Sequence, residues 1–217
     1  MGIEELLRFW KENEIVHDER IIEAFLKVKR EDFLPEEQKP YAYVDSALKL
    51  FCGQTISQPT TVAIMTKLLK PNKDQKILEI GSGSGYQAAI LGHLVQPKGK
   101  VFTIEIIKEL FEFAKKNLEH FENVEVIFGD GSVGYKKEAP YDRIIITAAS
   151  PRETVEGIFP QLRLGGILVA PVDYGDYQKM YRFSKLESGE IEEEEFGDFV
   201  FVPLRGKLGF AKFKTSP

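Results

Sequence analysis

Residues 76–86 read Lys-Ile-Leu-Glu-Ile-Gly-Ser-Gly-Ser-Gly-Tyr, an apolar run that breaks into three alternating glycines and then enters a helical pattern. A strand that passes through a glycine-rich turn directly into a helix is the nucleotide-binding corner of doubly wound sheets. The chain around it keeps the same rhythm. The segment 86–95 predicts a helix, 100–106 a strand, and 108–120 a helix carrying Leu110, Phe111, Ala114 and Leu118 at helical spacing. Segments 124–128, 143–149 and 167–172 predict further strands, with a helix over 153–162 and a turn at Gly165-Gly166. Strand and helix in alternation at this spacing predict βαβ units, hence an α/β fold with a mostly parallel sheet covered on both faces.

The two ends depart from that rhythm. Ile3, Leu6, Leu7 and Trp10 share one helical face, and so do Ile21, Ile22, Phe25 and Leu26, with Asp18 as a candidate N-cap. This second helix is expected to end at Phe33-Leu34-Pro35. Near the other end, two strand-like runs flank Ser188-Gly189, which predicts a hairpin and an antiparallel sheet edge. The four acids Glu192 to Glu195 read as a solvated edge that blocks unwanted pairing.

Length and charge bound the rest. With 217 residues one domain is expected, large enough to bury about 70% of its unfolded surface without disulfides or metal. No apolar run approaches the ~20 residues of a membrane helix, and the acidic N-terminal stretch does not resemble a secretory leader. The balance of 29 basic against 34 acidic residues, with no basic block, argues against a nucleic-acid partner. The lone cysteine, Cys52, fits a cytoplasmic protein and reads as a small packed side chain. A monomer is expected, and no metal.

The glycine loop points to a ligand. Its spacing is G-x-G-x-G after Glu79, and Tyr86 stands where the dinucleotide fingerprint needs its third glycine. Glu105 closes the second strand, where a carboxylate can accept both ribose hydroxyls. Asp130 and Gly131 follow the third strand, where an adenine edge would sit. The glycines alone are equally compatible with a tight turn. Carboxylates at successive strand ends tip the balance to a bound cofactor. Upstream, Gly53-Gln54-Thr55-Ile56-Ser57-Gln58-Pro59 enters a helix with the apolar face Val62, Met65, Leu68 and Leu69. Pro59 suits its first turn, and Ser57 or Gln58 falls at the N-cap, where unpaired N–H groups can hold a carboxylate. A plain capping role for Ser57 is the simpler reading of that serine alone.

The E-x-G-x-G-x-G loop resembles the first motif of class I S-adenosylmethionine-dependent methyltransferases. Y-A-Y-x-D at 41–45, GQTISQP at 53–59, LEIGSGSGYQAA at 78–89, GDG at 129–131 and FVPLRG at 201–206 are similar to protein-L-isoaspartate O-methyltransferases. Val44, Ala47, Lys49 and Cys52 depart from that pattern. The resemblance implies a Rossmann-like, seven-stranded methyltransferase sheet and one domain in three stretches. Residues 1–57 would supply N-terminal helices and the substrate cleft, 58–172 the cofactor-binding core, and 173–217 the antiparallel strands and tail. It implies methylation of the free α-carboxylate of L-isoaspartyl residues in damaged proteins, from S-adenosyl-L-methionine, leaving S-adenosyl-L-homocysteine.

By the same resemblance, Ser57 orients the substrate carboxylate. Gln54, Thr55, Ile56, Gly81, Ser82, Gly83, Gly85, Glu105, Ile106, Asp130 and Gly131 hold the cofactor. Thr55, Ile56 and Ser57 face the peptide from one side and Val202, Pro203 and Leu204 from the other. Tyr41, Tyr43 and Asp45 would form a lid, while His17, His93 and His120 are structural or solvated. The alternative is an RNA or small-molecule methyltransferase of the same fold. Against the amide- and adenine-N type, the stretch Thr147-Ala148-Ala149-Ser150-Pro151 lacks the expected Asn/Asp-Pro-Pro-aromatic segment. A nucleotide-binding module without catalysis would not need GQTISQP, and the glycine spacing disfavours a NAD-linked oxidoreductase.

Overall fold

The computed structural model describes residues 2–210. The end of the C-terminal stretch, 211–217, lies outside the described residues. Two helices open the chain, α1 (Ile3–Glu12) and α2 (Glu19–Lys27), followed by a two-stranded hairpin, β1 (Leu48–Lys49) and β2 (Thr55–Ile56). Helix α3 (Pro59–Leu69) leads into the alternating core. The core runs β3 (Lys76–Ile80), α4 (Tyr86–Leu94), β4 (Lys100–Glu105), α5 (Lys108–Asn117), β5 (Val124–Phe128) and β6 (Tyr141–Ile146). It ends with α6 (Arg152–Glu156), β7 (Leu162–Asp173), β8 (Gln178–Lys185) and β9 (Ile191–Phe199).

Strands β5-β4-β3-β6-β7-β8-β9 form one seven-stranded sheet in that order. Strands β3 to β7 pair in parallel, while β7–β8 and β8–β9 are antiparallel. The chain winds outward from β3 through β4 to β5, then returns to β3's other side with β6. Such a reversal opens a crevice at the carboxyl ends of the two central strands.

Side-chain alternation divides the core between the two faces of the sheet. Ile77, Val101, Ile145 and Val169 join the apolar faces of α1 to α4 in one cluster. Leu78, Ile80, Phe102, Ile104, Ile144, Ile146 and Leu168 join Val155 and Ile158 in the other. Trp10 anchors the first cluster, its ring packed edge-on against Phe25 at 4.9 Å.

Several boundaries differ from the sequence reading. Helix α2 stops at Lys27 and a separate 3-10 turn covers Arg30–Phe33, with Leu26 exposed. The helix expected over 153–162 shortens to α6 plus a 3-10 turn at Phe159–Gln161. Gly165 and Gly166 lie inside β7, where the register against β6 shifts between Tyr141 and Arg143. Gly165 has φ +69°, so the pair makes an irregularity within a strand where a turn was expected. The hairpin at Ser188-Gly189 forms as expected, with the Leu186 N–H donating to Glu190 O at 2.8 Å.

Glu193, Glu194 and Glu195 are exposed on edge strand β9 but are not merely solvated. They pair with Arg152, Arg182 and Lys179. Cys52 is exposed at the β1–β2 turn with φ +54°, so the expected packed thiol is corrected. The hairpin tip docks on α5 through Phe51, whose ring meets Phe113 edge-on at 5.1 Å, and the following residue is left outside.

Candidate active site

The crevice at the ends of β3 and β6 is a cavity of about 860 Å³ counting its open mouth. The glycine loop forms its floor. The N–H groups of Gly81 and Ser82 both donate to Ile104 O, which folds the loop back over β4. At Gly81 φ is +98° and an added Cβ would lie 2.5 Å from Thr147 Oγ1, so glycine is required there. The Thr147 hydroxyl in turn donates to Gly81 O at 2.6 Å, tying the loop to the end of β6. At Gly83, also on the cavity wall, φ is +53° and a Cβ would meet no protein atom within 4 Å. The loop is therefore open on that side, which lets a ligand approach the backbone.

Two carboxyls flank the loop. Glu105 is 5% exposed, and its two oxygens accept from Gly83 N–H at 3.0 Å and Ile107 N–H at 2.9 Å. Burial raises its pKa, opposed by these N–H groups and by the positive charge of Arg205. Both oxygens keep spare acceptor capacity at the cavity wall, the arrangement a ribose diol needs. Glu79 is fully buried. Its register partner across the β3–β4 pairing is Thr103, whose hydroxyl donates to Oε2 at 2.5 Å. Among the described residues its Oε1 has no partner. Burial, reinforced by the Glu105 charge and opposed by Thr103, pushes its pKa up to about 8. Burial thus favours the neutral form of Glu79 at the wall of the cavity.

The opposite wall is the segment before α3. Gln58 is the N-cap residue and Pro59 the first helical residue, with no side-chain cap from Gln58. The cap comes from Asp45, whose carboxylate accepts from Thr60 N–H at 3.0 Å, Thr60 Oγ1 at 2.7 Å and Gln58 Nε2 at 2.9 Å. Ser57 consequently stays out of the capping network while its side of the helix entrance lines the cavity. The capping role that the sequence offered to Ser57 is taken by Asp45.

The last wall is the chain after β9. Ala149 N–H donates to Val202 O at 2.9 Å and Leu204 N–H to Ala149 O at 2.8 Å, which brings 202–204 beside the end of β6. The strap is closed by Asp130, which accepts from Lys207 N–H at 2.7 Å and from both the N–H and hydroxyl of Ser132. Burial pushes the Asp130 carboxyl up, but these donors outweigh it and hold its pKa below the ordinary value.

A family model for protein-L-isoaspartate(D-aspartate) O-methyltransferase (PCMT) matches residues 1–209. The chain belongs to that family. A protein-L-isoaspartate O-methyltransferase of Methanopyrus kandleri is 47% identical over 198 residues, covering 90% of this chain and 87% of the relative. Its counterpart in Staphylothermus marinus is 45% identical over 204 residues, covering 90% of each chain. A solved protein-L-isoaspartate O-methyltransferase superposes with a TM-score of 0.85 at 30% identity, covering 96% of this chain and 67% of the other. A Plasmodium falciparum structure in complex with S-adenosyl-L-homocysteine shares the fold at 22% identity, with a TM-score of 0.80 over 94% of this chain and 99% of the other.

Within this family member, the cavity wall gathers most of the residues singled out in the sequence. Gln54, Thr55, Ile56, Ser57, Gly81, Ser82, Gly83, Glu105, Ile106, Gly131, Val202, Pro203 and Leu204 all line it. Gly85 and Asp130 are not among the residues lining it. Gly85 is the N-cap of α4 with φ +89°, packed toward Leu118, and Asp130 is turned to the C-terminal strap. The three lid residues are outside the wall as well. Tyr43 hydrogen-bonds the Glu31 carboxylate, Asp45 caps α3, and Tyr41 is exposed. None of the three histidines lines the cavity. Sequence reasoning missed Thr147, Tyr86, Gln87 and Arg205 at the wall, and gave Glu79 no role. Tyr86 had a signal, since it stands in the third glycine position. Thr147 had none, because only the β3–β6 pairing brings it to the loop.

Proposed function

We propose that the cavity holds S-adenosyl-L-methionine between the glycine loop and Glu105, and the free α-carboxylate of an L-isoaspartyl residue at Ser57. The protein is a repair methyltransferase that esterifies that carboxylate in damaged proteins and peptides. The observation that carries the site assignment is that Ser57 and Glu105, 48 residues apart in the chain, line one cavity. The open approach at Gly83, the doubly anchored Glu105 and the Oε1 of Glu79, unpartnered among the described residues, suit a ligand with a ribose diol and a polar amino-acid end.

When bound, S-adenosyl-L-methionine supplies an electrophilic methyl group and leaves as S-adenosyl-L-homocysteine. Glu105 accepts the ribose hydroxyls, and the walls at Gln54, Thr55, Ile56, Ser82, Ile106 and Gly131 exclude water from the adenosyl group. The Ser57 hydroxyl donates to one oxygen of the substrate carboxylate and aligns the other for in-line attack. That carboxylate is already ionised at neutral pH, so no side chain need remove a proton. Alignment is the main demand on the enzyme, and fixed geometry can contribute several kcal/mol to such a step. Val202, Pro203 and Leu204 bound the peptide from the other side. The following backbone nitrogen then attacks the ester carbonyl, methoxide leaves with the N–H proton as methanol, and the resulting succinimide is opened by water partly to normal aspartate.

In this reading the stretches 1–57, 58–172 and 173–217 work as one domain. The protein acts as a cytoplasmic monomer on isoaspartyl proteins, with no nucleic-acid partner. Among the described residues no helix is long and apolar enough to cross a membrane. Nor does any group of three or more His, Cys, Asp or Glu among them gather as a metal site. The family membership does not favour the RNA or small-molecule alternative. One peptide made with L-isoaspartate or with L-aspartate at the same position tests the function. Base-labile methyl label from S-adenosyl-L-methionine is expected only on the isoaspartyl form. Equal labelling of both forms, or of neither, overturns it.

A further inference from the structure

A second opening adjoins the first and shares Thr55, Ser57, Thr147 and Val202 with it. Beyond those residues its wall is mostly apolar. Ile64 of α3 contributes to it, as do Phe199 and Phe201, whose rings lie 6.3 Å apart. Tyr177, from the β7–β8 turn, stands at the same wall and is exposed. Among the described residues Asp198 is the one charged side chain on this wall. It is exposed and makes no ion pair within 4.0 Å among the described residues. Its neighbour across the β8–β9 pairing, Lys179, is already engaged. The Lys179 ammonium sits 2.7 Å from Glu195 and over the Tyr174 ring at 5.6 Å. The Lys179 ammonium feels the negative charge of Asp198 but is paired elsewhere, so Asp198 is left without an ion pair among the described residues, at the rim of a groove that shares Ser57 with the first opening.

We propose, resting on the methyltransferase reading, that this groove takes the substrate side chain flanking the isoaspartyl residue, and that Asp198 selects a lysine or arginine there. The long apolar stem of such a side chain lies along Ile64, Phe199 and Phe201 while its cationic head reaches the carboxylate. A glutamate in the same place meets like charge, on a chain with a formal net charge of -5. An exposed ion pair is worth about threefold in affinity, and replacing attraction by repulsion roughly doubles the free-energy difference, so about tenfold separates the two peptides.

Two isoaspartyl peptides, identical except for Lys or Glu beside the isoaspartate, on each side in turn, test this with methyl-labelled S-adenosyl-L-methionine. On one side the Lys peptide is expected to show a kcat/KM about tenfold higher, mainly through KM, with the gap shrinking in high salt. In Asp198→Asn the ratio falls toward unity, and in Asp198→Lys it reverses. Equal KM values for the wild type on both sides, or a ratio unchanged in Asp198→Asn, overturn the proposal while leaving the methyltransferase reading intact. Failure to methylate either peptide, with S-adenosyl-L-homocysteine still binding, overturns that reading and the proposal with it.

Discussion

The carboxylate of Asp45 accepts both the N–H and the hydroxyl of Thr60, fifteen residues further along the chain. The same Thr60 hydroxyl accepts the indole N–H of the buried Trp10 at 2.7 Å. One carboxylate thereby caps α3, holds the loop before the hairpin and closes a network that reaches α1. Ser57, two residues ahead of the helix, is left out of that network and lines the cavity.

Replacing Asp45 with alanine removes that cap and leaves the O–H of the nearly buried Thr60 without its acceptor. Loss of a cap costs about 1 kcal/mol and an unsatisfied buried group about as much again. At about 2–4 °C per kcal/mol for a chain of this size, Tm is expected to fall by roughly 4–8 °C. Thermal unfolding followed by circular dichroism measures it. A Tm within a degree of wild type would mean that another group caps α3.

Ser57→Ala deletes the hydroxyl assigned to the substrate carboxylate and touches no capping bond. Turnover on an isoaspartyl peptide is expected to fall about 10²-fold, as for loss of one preorganised donor. Calorimetry with S-adenosyl-L-homocysteine should give an affinity close to wild type. Unchanged turnover would remove Ser57 from its role.

Glu105→Ala removes two charge-assisted bonds, from Gly83 and Ile107, together with the acceptors assigned to the ribose. Each such bond contributes about 1.5–3 kcal/mol, so affinity for S-adenosyl-L-homocysteine is expected to drop at least about tenfold. Glu105→Gln should restore part of it, since the amide keeps one acceptor. Equal affinities across the three proteins would place the ribose elsewhere.

Glu79 makes the stability of the ligand-free protein depend on pH. Its carboxyl, ordinarily near 4.5, is pushed up to about 8 by burial. Between those values the folded protein keeps a proton that the unfolded chain has lost, so this group's contribution to stability declines as pH rises from about 4.5 to 8. Glu79→Gln, which cannot ionise, should flatten that slope. Urea unfolding at pH 5, 6, 7 and 8 on both proteins reads the difference, and parallel curves would mean that Glu79 is ionised in the folded state.

The parts of this protein that were legible in its sequence rest on short-range physics. Alternating strand and helix periodicity, the glycines between Ile80 and Tyr86, Pro59 at a helix start and Gly189 in a hairpin turn each depend on a few neighbouring residues. Their consequences followed, including the parallel sheet and its antiparallel edge. Boundaries were less legible where an irregularity replaced a stop. Gly165-Gly166 reads as a turn in isolation, yet pairing with β6 carries the strand through it.

What the tertiary structure alone decided are the partners of polar groups, because these come from register and crossing elements far apart in sequence. Parallel pairing sets Thr103 against Glu79, giving a buried acid its hydrogen-bond donor. The return of the chain beyond β9 claims Asp130 for the strap, although its place after β5 suggested a direct ligand contact. Asp45 reaches Thr60 only once the hairpin is folded against α3. Buried polar atoms must find partners, and which partner is within 3 Å is a property of the packed chain.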